Sequence, residues 1–149
     1  MKTSYLRLIV WMLLSGGAVA SAQITVEAPW IRATVPGQQA TGAFMKITSG
    51  QAVKLIAVTT PAANIHEIHE MKMEGGVMKM RAYLAGLDIP ANKTVELKAD
   101  GYHVMMMDLQ RPVKAGETIA MQLQFADAKG NRQLIAVSAK VSFKNPYLP

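Results

Sequence analysis

The stretch Ile65–Leu109 reads IHEIHEMKMEGGVMKMRAYLAGLDIPANKTVELKADGYHVMMMDL, and its punctuation decides the fold. Alternating or apolar runs at Asn64–Met71, Val77–Tyr83, Thr94–Lys98 and Tyr102–Leu109 are cut by Glu74-Gly75-Gly76 and Asp100-Gly101. Such short runs bounded by turn residues predict strands, and the Asp-Gly pair predicts a tight turn between Val95–Leu97 and Val104–Met106. The same rhythm continues outward. Further strands are predicted at Ile24–Ile31, Ala43–Ile47, Val53–Thr59, Thr118–Phe125 and Leu134–Phe143, with turns at Val35-Pro36-Gly37, Ser49-Gly50 and Lys129-Gly130-Asn131. No window of about eleven residues sustains a 3.6-residue period, and Pro61-Ala62-Ala63 is the best candidate for a short turn of helix. The expectation is an all-β, single-domain Greek-key sandwich or small barrel.

The first residues have a different character. Lys2 and Arg7 precede a mostly apolar run, Leu8–Ala20, and Ala20-Ser21-Ala22 has the small-x-small form of an export cleavage site. The run is shorter than the roughly 20 residues a membrane span needs. Residues 1–22 are therefore expected to be a cleaved signal peptide and residues 23–149 the mature domain, exported and without a further membrane span. Loss of Lys2 and Arg7 leaves 14 basic against 10 acidic residues, dispersed along the chain. That pattern fits solvated faces and excludes a nucleic-acid or polybasic membrane footprint. Cysteine is absent. Disulfide staples, thiolate copper centres, Cys-rich zinc sites, thiol redox catalysis and a cysteine-borne lipid are thereby excluded from this sequence.

The quoted stretch holds all three histidines and seven of the eleven methionines. A neutral thioether sulfur beside an imidazole nitrogen suits Cu(I) better than any hard cation. Methionine is also a common core filler, so each one needs a positional test. Strand parity supplies it. His103 and Met105 share a face, about 7 Å apart at Cα, as do His69 and Met71, and Met78 and Met80. A turn at Glu74-Gly75-Gly76 would fold the His69 strand against the Met80 strand. By the same test Met106 falls on the opposite face from His103 and Met105, and Met45 and Met121 sit alone in apolar strands. Those three are expected in the core.

These residues carry a resemblance. His69, ten residues, Met80, and then His103-Val104-Met105 is similar to the motif of the periplasmic PCu(A)C copper(I) chaperones. Ala28–Thr34, Thr41–Met45 and Leu109–Glu117 also resemble that family, so the likeness covers essentially the whole mature chain. One departure stands out: twenty-two residues rather than twenty-one separate Met80 from His103. A turn or bulge within Arg81–Pro90 is the expected place for the extra residue. An insertion inside the His103 strand would instead flip its side chains to the wrong face.

The resemblance implies a cupredoxin-like β-sandwich and one Cu(I) per monomer, held by His69, Met80, His103 and Met105. It implies a periplasmic chaperone exchanging copper with donor and acceptor proteins. The expected acceptor is a cytochrome c oxidase subunit or another assembly factor for its dinuclear copper site. A resistance or storage carrier without an oxidase target is the alternative. His66 lies off the His69 face, and for Met71, Met73 and Met78 core or rim packing is expected ahead of the alternative, a transient outer-ligand role during transfer, which Met73 near the hairpin turn suits first. No nucleophile–base grouping stands out, and a histidine-brace oxidase would need an N-terminal His where the expected cut leaves Gln23, so no enzyme is expected.

Overall fold

The computed structural model describes residues 21–149, so the expected leader lies outside them except for Ser21 and Ala22. Ten strands follow in order: β1 (Ile24–Arg32), β2 (Ala40–Ser49), β3 (Val53–Thr59), β4 (Ala63–Glu74), β5 (Val77–Ala82), β6 (Leu87–Ile89), β7 (Thr94–Leu97), β8 (Tyr102–Leu109), β9 (Thr118–Asp127) and β10 (Arg132–Ser142). No helix occurs among the described residues, and none there is long and apolar enough to cross a membrane.

Hydrogen bonding runs β5-β4-β8-β2-β1-β10-β9-β3-β6, with β7 on the second half of β2. The ladder folds over on itself, so strands far apart in that order share one core. The alternation of β9 shows why: Ile119, Met121, Leu123 and Phe125 are buried between exposed or half-exposed neighbours. They meet Ile31, Met45, Ile47, Leu55, Ile89, Val104, Met106 and Val141 in a single apolar cluster. Each fully buried side chain of this size contributes about 1.5–3 kcal/mol of transfer free energy. Met45, Met106 and Met121 are core methionines, Met106 as parity indicated and the other two as their apolar strands did.

Two expectations are corrected here. Pro61-Ala62 forms a plain turn, and Ala63 already begins β4, whose Ala63 pairs with Leu109. The short strand β6, not foreseen, pairs with β3 at Val53–Leu55. Meanwhile β4 runs unbroken against β8 from Ala63↔Leu109 to Glu70↔Tyr102, and β8 against β2 from Ala40↔Met107 to Ala43↔Val104. No bulge interrupts β8, so the side-chain parity of His103 and Met105 is intact.

Candidate metal centre

The core uses only one face of β4–β8–β2. On β8, Val104 and Met106 are fully buried in it, which turns His103 and Met105 to the other face. The register places His69 opposite His103, and Met105 opposite both Glu67 on β4 and Gly42 on β2. In the β4–β5 hairpin, Met71 faces Met80 and Met73 faces Met78. The two-residue turn Gly75-Gly76 makes this hairpin possible, because both residues have positive φ, 58° and 80°.

Although they point away from the main core, His103 and His69 are only 4% and 9% exposed. A small aromatic layer covers this face. Trp30 and Phe44 stack with centroids 4.6 Å apart, and Phe44 lies 6.3 Å from the His103 ring. The two imidazoles meet edge-on at 6.0 Å. Gly42 permits this packing, since a Cβ there would come within 2.8 Å of the Phe44 ring.

Each imidazole is oriented through one nitrogen. His69 Nε2 lies 2.8 Å from Glu67 Oε2, so the ionised carboxylate, which can only accept, fixes the proton on Nε2. The remaining Nδ1 lone pair is buried with no hydrogen-bond partner among the described residues. Buried polar atoms are nearly always satisfied, and an orphan of this kind points to a missing ligand. His103 Nδ1 is 3.2 Å from the Gly101 carbonyl, to which it donates, leaving Nε2 as its acceptor nitrogen. A histidine that donates one N–H to a carboxylate or carbonyl and keeps the other nitrogen free has the usual outer-contact arrangement of a metal ligand. Burial pushes the His103 imidazole below its ordinary pKa, against the opposing Gly101 hydrogen bond and with help from the electrostatic influence of the neighbouring His69 and Arg32. It is therefore neutral, as a ligand must be.

Met80, His103 and Met105 line one pocket of about 320 Å³ together with Met71, Arg32 and Phe44. His69 does not line it and stands beside His103. Two thioethers from the expected set and one imidazole are thus gathered directly, with the second imidazole adjacent. Among the described residues, no three His, Asp or Glu side chains cluster as a hard-cation site would require.

His66 is confirmed off this face. It pairs with Met106 in register, and its Nε2 lies 3.2 Å from the Thr60 amide nitrogen and 3.0 Å from the Thr60 carbonyl, tying down the β3–β4 turn. Met71, Met73 and Met78 stand at the rim of this face and not in the core. Met71 lines the pocket, while Met73 and Met78 are 59% and 42% exposed on the hairpin. Glu67 was missed from sequence, although Glu67-x-His69 has the spacing of one strand face and held the signal. Gly42 and Phe44 carried no such signal.

Comparison with known proteins agrees with this architecture. Residues 24–139 match the model of a family described as "Putative lipoprotein LpqE-like". The chain belongs to the LpqE-like family. Its relatives include "Putative lipoprotein Lxx21020" of Leifsonia xyli subsp. xyli, 31% identical over 117 residues, covering 78% of this chain and 69% of that one. Among solved structures, this LpqE-like chain is similar to CuI-DR1885 from Deinococcus radiodurans. The two are 34% identical over 89% of this chain and 85% of that one, with a TM-score of 0.65. The apo PCuAC domain from PmoF1 shares the fold at 20% identity and TM-score 0.63, over 81% of this chain and 94% of that one. The fold is accordingly a single cupredoxin-like β-sandwich.

Proposed function

We propose that this chain is an exported Cu(I) chaperone that takes up one tightly held ion through His69, Met80, His103 and Met105 and passes it to an acceptor. The observation that carries the reading is the pair of buried imidazoles, each pinned through one nitrogen, beside a methionine-lined pocket. Four neutral donors favour a monovalent soft ion. Arg32 at the pocket reinforces that preference, because a monovalent ion incurs half the Coulomb repulsion of a divalent one. The similarity to a structure solved as CuI-DR1885, at 34% identity, supports the same ion.

Delivery follows from the donor set. Neutral thioethers and imidazoles release Cu(I) to an acceptor offering thiolates, one ligand at a time, with no change of oxidation state and no substrate turned over. Met80, half exposed, is the donor an acceptor reaches first, and the buried imidazoles hold the ion until last. The proposed acceptor is the dinuclear copper site of cytochrome c oxidase, reached in the periplasm by a monomeric carrier. The resemblance of the His69–Met80–His103–Met105 motif to PCu(A)C chaperones supports that destination.

The test is an anaerobic Cu(I) titration against a chromophoric chelator with wild type and Met105→Ala, followed by mixing the loaded protein with an apo oxidase copper domain. Competition by wild type, weakened in the variant, with copper appearing on the oxidase domain, is expected. Failure of wild type to compete overturns the copper reading. Retention of copper against the oxidase domain overturns the destination alone.

A further inference from the structure

The β4–β5 hairpin is divided by chemistry. One face carries Glu70, Lys72, Glu74, Lys79 and Arg81, where Arg81 bridges Glu70 at 3.1 Å and Glu74 at 3.3 Å, and Lys79 reaches Glu74 at 3.6 Å. The other carries only thioethers beyond His69: Met71 opposite Met80, then Met73 opposite Met78 next to the Gly75-Gly76 turn. The Met71 amide donates to the Gly101 carbonyl at 3.1 Å, on the β8 side, so it is not spent on β5. Met71–Met80 is therefore a pair without mutual backbone hydrogen bonds, and alternation makes Met73–Met78 another. Such pairs bring Cα atoms to about 4.5 Å, with side chains closely apposed.

Packing does not account for the outer pair. Every residue of β5 is exposed, and Met73 and Met78 lie on a solvated edge hairpin. Edge strands are normally blunted with charge, and strand propensity favours β-branched or aromatic residues over methionine. What the four residues share is a soft sulfur. Successive pairs along the strand are about 7 Å apart, and the inner pair opens into the pocket that holds His103 and Met105.

We propose that Met73 and Met78 form a second, weaker binding site for a monovalent soft ion at the hairpin tip, which captures Cu(I) from the donor and hands it to Met71–Met80 and thence to the imidazoles. This rests on the inner-site reading of the preceding section. Two neutral sulfurs with solvent completing the coordination hold the ion loosely and exchange it quickly. The ion stays monovalent at every step, each new thioether or imidazole bond replacing one that breaks. Strand alternation puts Lys72 and Lys79 on the opposite face of the hairpin, away from the ion.

The experiment uses the whole chain labelled with ¹³C at the methionine methyl groups and titrated with Ag(I), a redox-inert monovalent soft ion, in halide-free buffer. Met80 and Met105 methyls are expected to shift during the first equivalent, and Met73 and Met78 methyls to move beyond it in fast exchange. A Met73→Leu, Met78→Leu double variant, which keeps apolar bulk and loses sulfur, is expected to retain the tight equivalent while loading Cu(I) several-fold more slowly in stopped flow. Met73 and Met78 methyls that stay still while Met80 and Met105 respond overturn the tip site alone. Unslowed loading in the leucine variant does the same and marks the face as an apolar contact. Tip methyls that move while Met80 and Met105 stay still support the tip and refute the inner site instead.

Discussion

Glu67 offers the sharpest perturbation. Its carboxylate accepts from His69 Nε2 at 2.8 Å, and the Glu67 side chain is itself about one-third exposed at 36%. Replacing Glu67 with Ala therefore opens no core cavity, and surface changes of this kind usually alter stability by no more than about 0.5 kcal/mol. What changes is the imidazole. Without the acceptor the proton is free to shift to Nδ1, and the ring is free to turn. Partners of this type are worth about 10- to 100-fold in metal affinity. That range corresponds to about 1.4–2.7 kcal/mol at 1.36 kcal/mol per tenfold. It agrees with about 1.5–3 kcal/mol for a hydrogen bond to a charged group. A Cu(I) competition titration measures it directly, with urea unfolding of the apo protein as the control for fold. Glu67→Gln, whose amide oxygen can still accept, is expected to fall between wild type and Glu67→Ala. Equal Cu(I) affinity in wild type and Glu67→Ala would refute the idea that this contact prepares His69 as a ligand.

Three further outcomes follow from the same geometry. Met105→Ala, which removes a thioether outright, is expected to weaken Cu(I) more than Glu67→Ala does in the same titration. Gly42→Ala drives a Cβ to 2.8 Å from a Phe44 ring already stacked on Trp30 and close to His103; overpacking of this kind costs about 1–3 kcal/mol, read by urea unfolding of the apo protein. Burial holds His103 below its ordinary pKa in the folded chain, so as pH falls the unfolded chain takes up that proton first. The stability due to this group is therefore complete above the unfolded value of about 6.5 and is lost below it, and a pH series of apo unfolding should show a slope there that His103→Gln flattens.

Much of this was legible in the sequence for local reasons. β3 and β8 have the bounds that their apolar alternation indicated, and Gly75-Gly76 forced the hairpin that brings Met80 back beside Met71. Strand parity alone separates Met106, in the core, from Met105, at the pocket. The misses have physical causes. Leu87-Asp88-Ile89 is too short to show a period and is a strand only because β3 lies beside it. β2 begins at Ala40, earlier than expected, because Gly42 and Thr41 break the apolar pattern while still pairing with β8. The β1 bulge between Glu27 and Trp30, with Ala28 at φ 50°, is set by the partner strand rather than by composition. The depth of His103 was also invisible, since its Phe44 cover, itself stacked on Trp30, comes from a strand distant in sequence.

The most direct measurement of the central claim is X-ray absorption at the copper edge on protein loaded anaerobically with one equivalent of Cu(I). The account predicts a Cu(I) edge and a coordination shell of two nitrogens and two sulfurs, with one sulfur lost in Met80→Ala and one in Met105→Ala. A shell without sulfur, or a sulfur count unmoved by both substitutions, would contradict it.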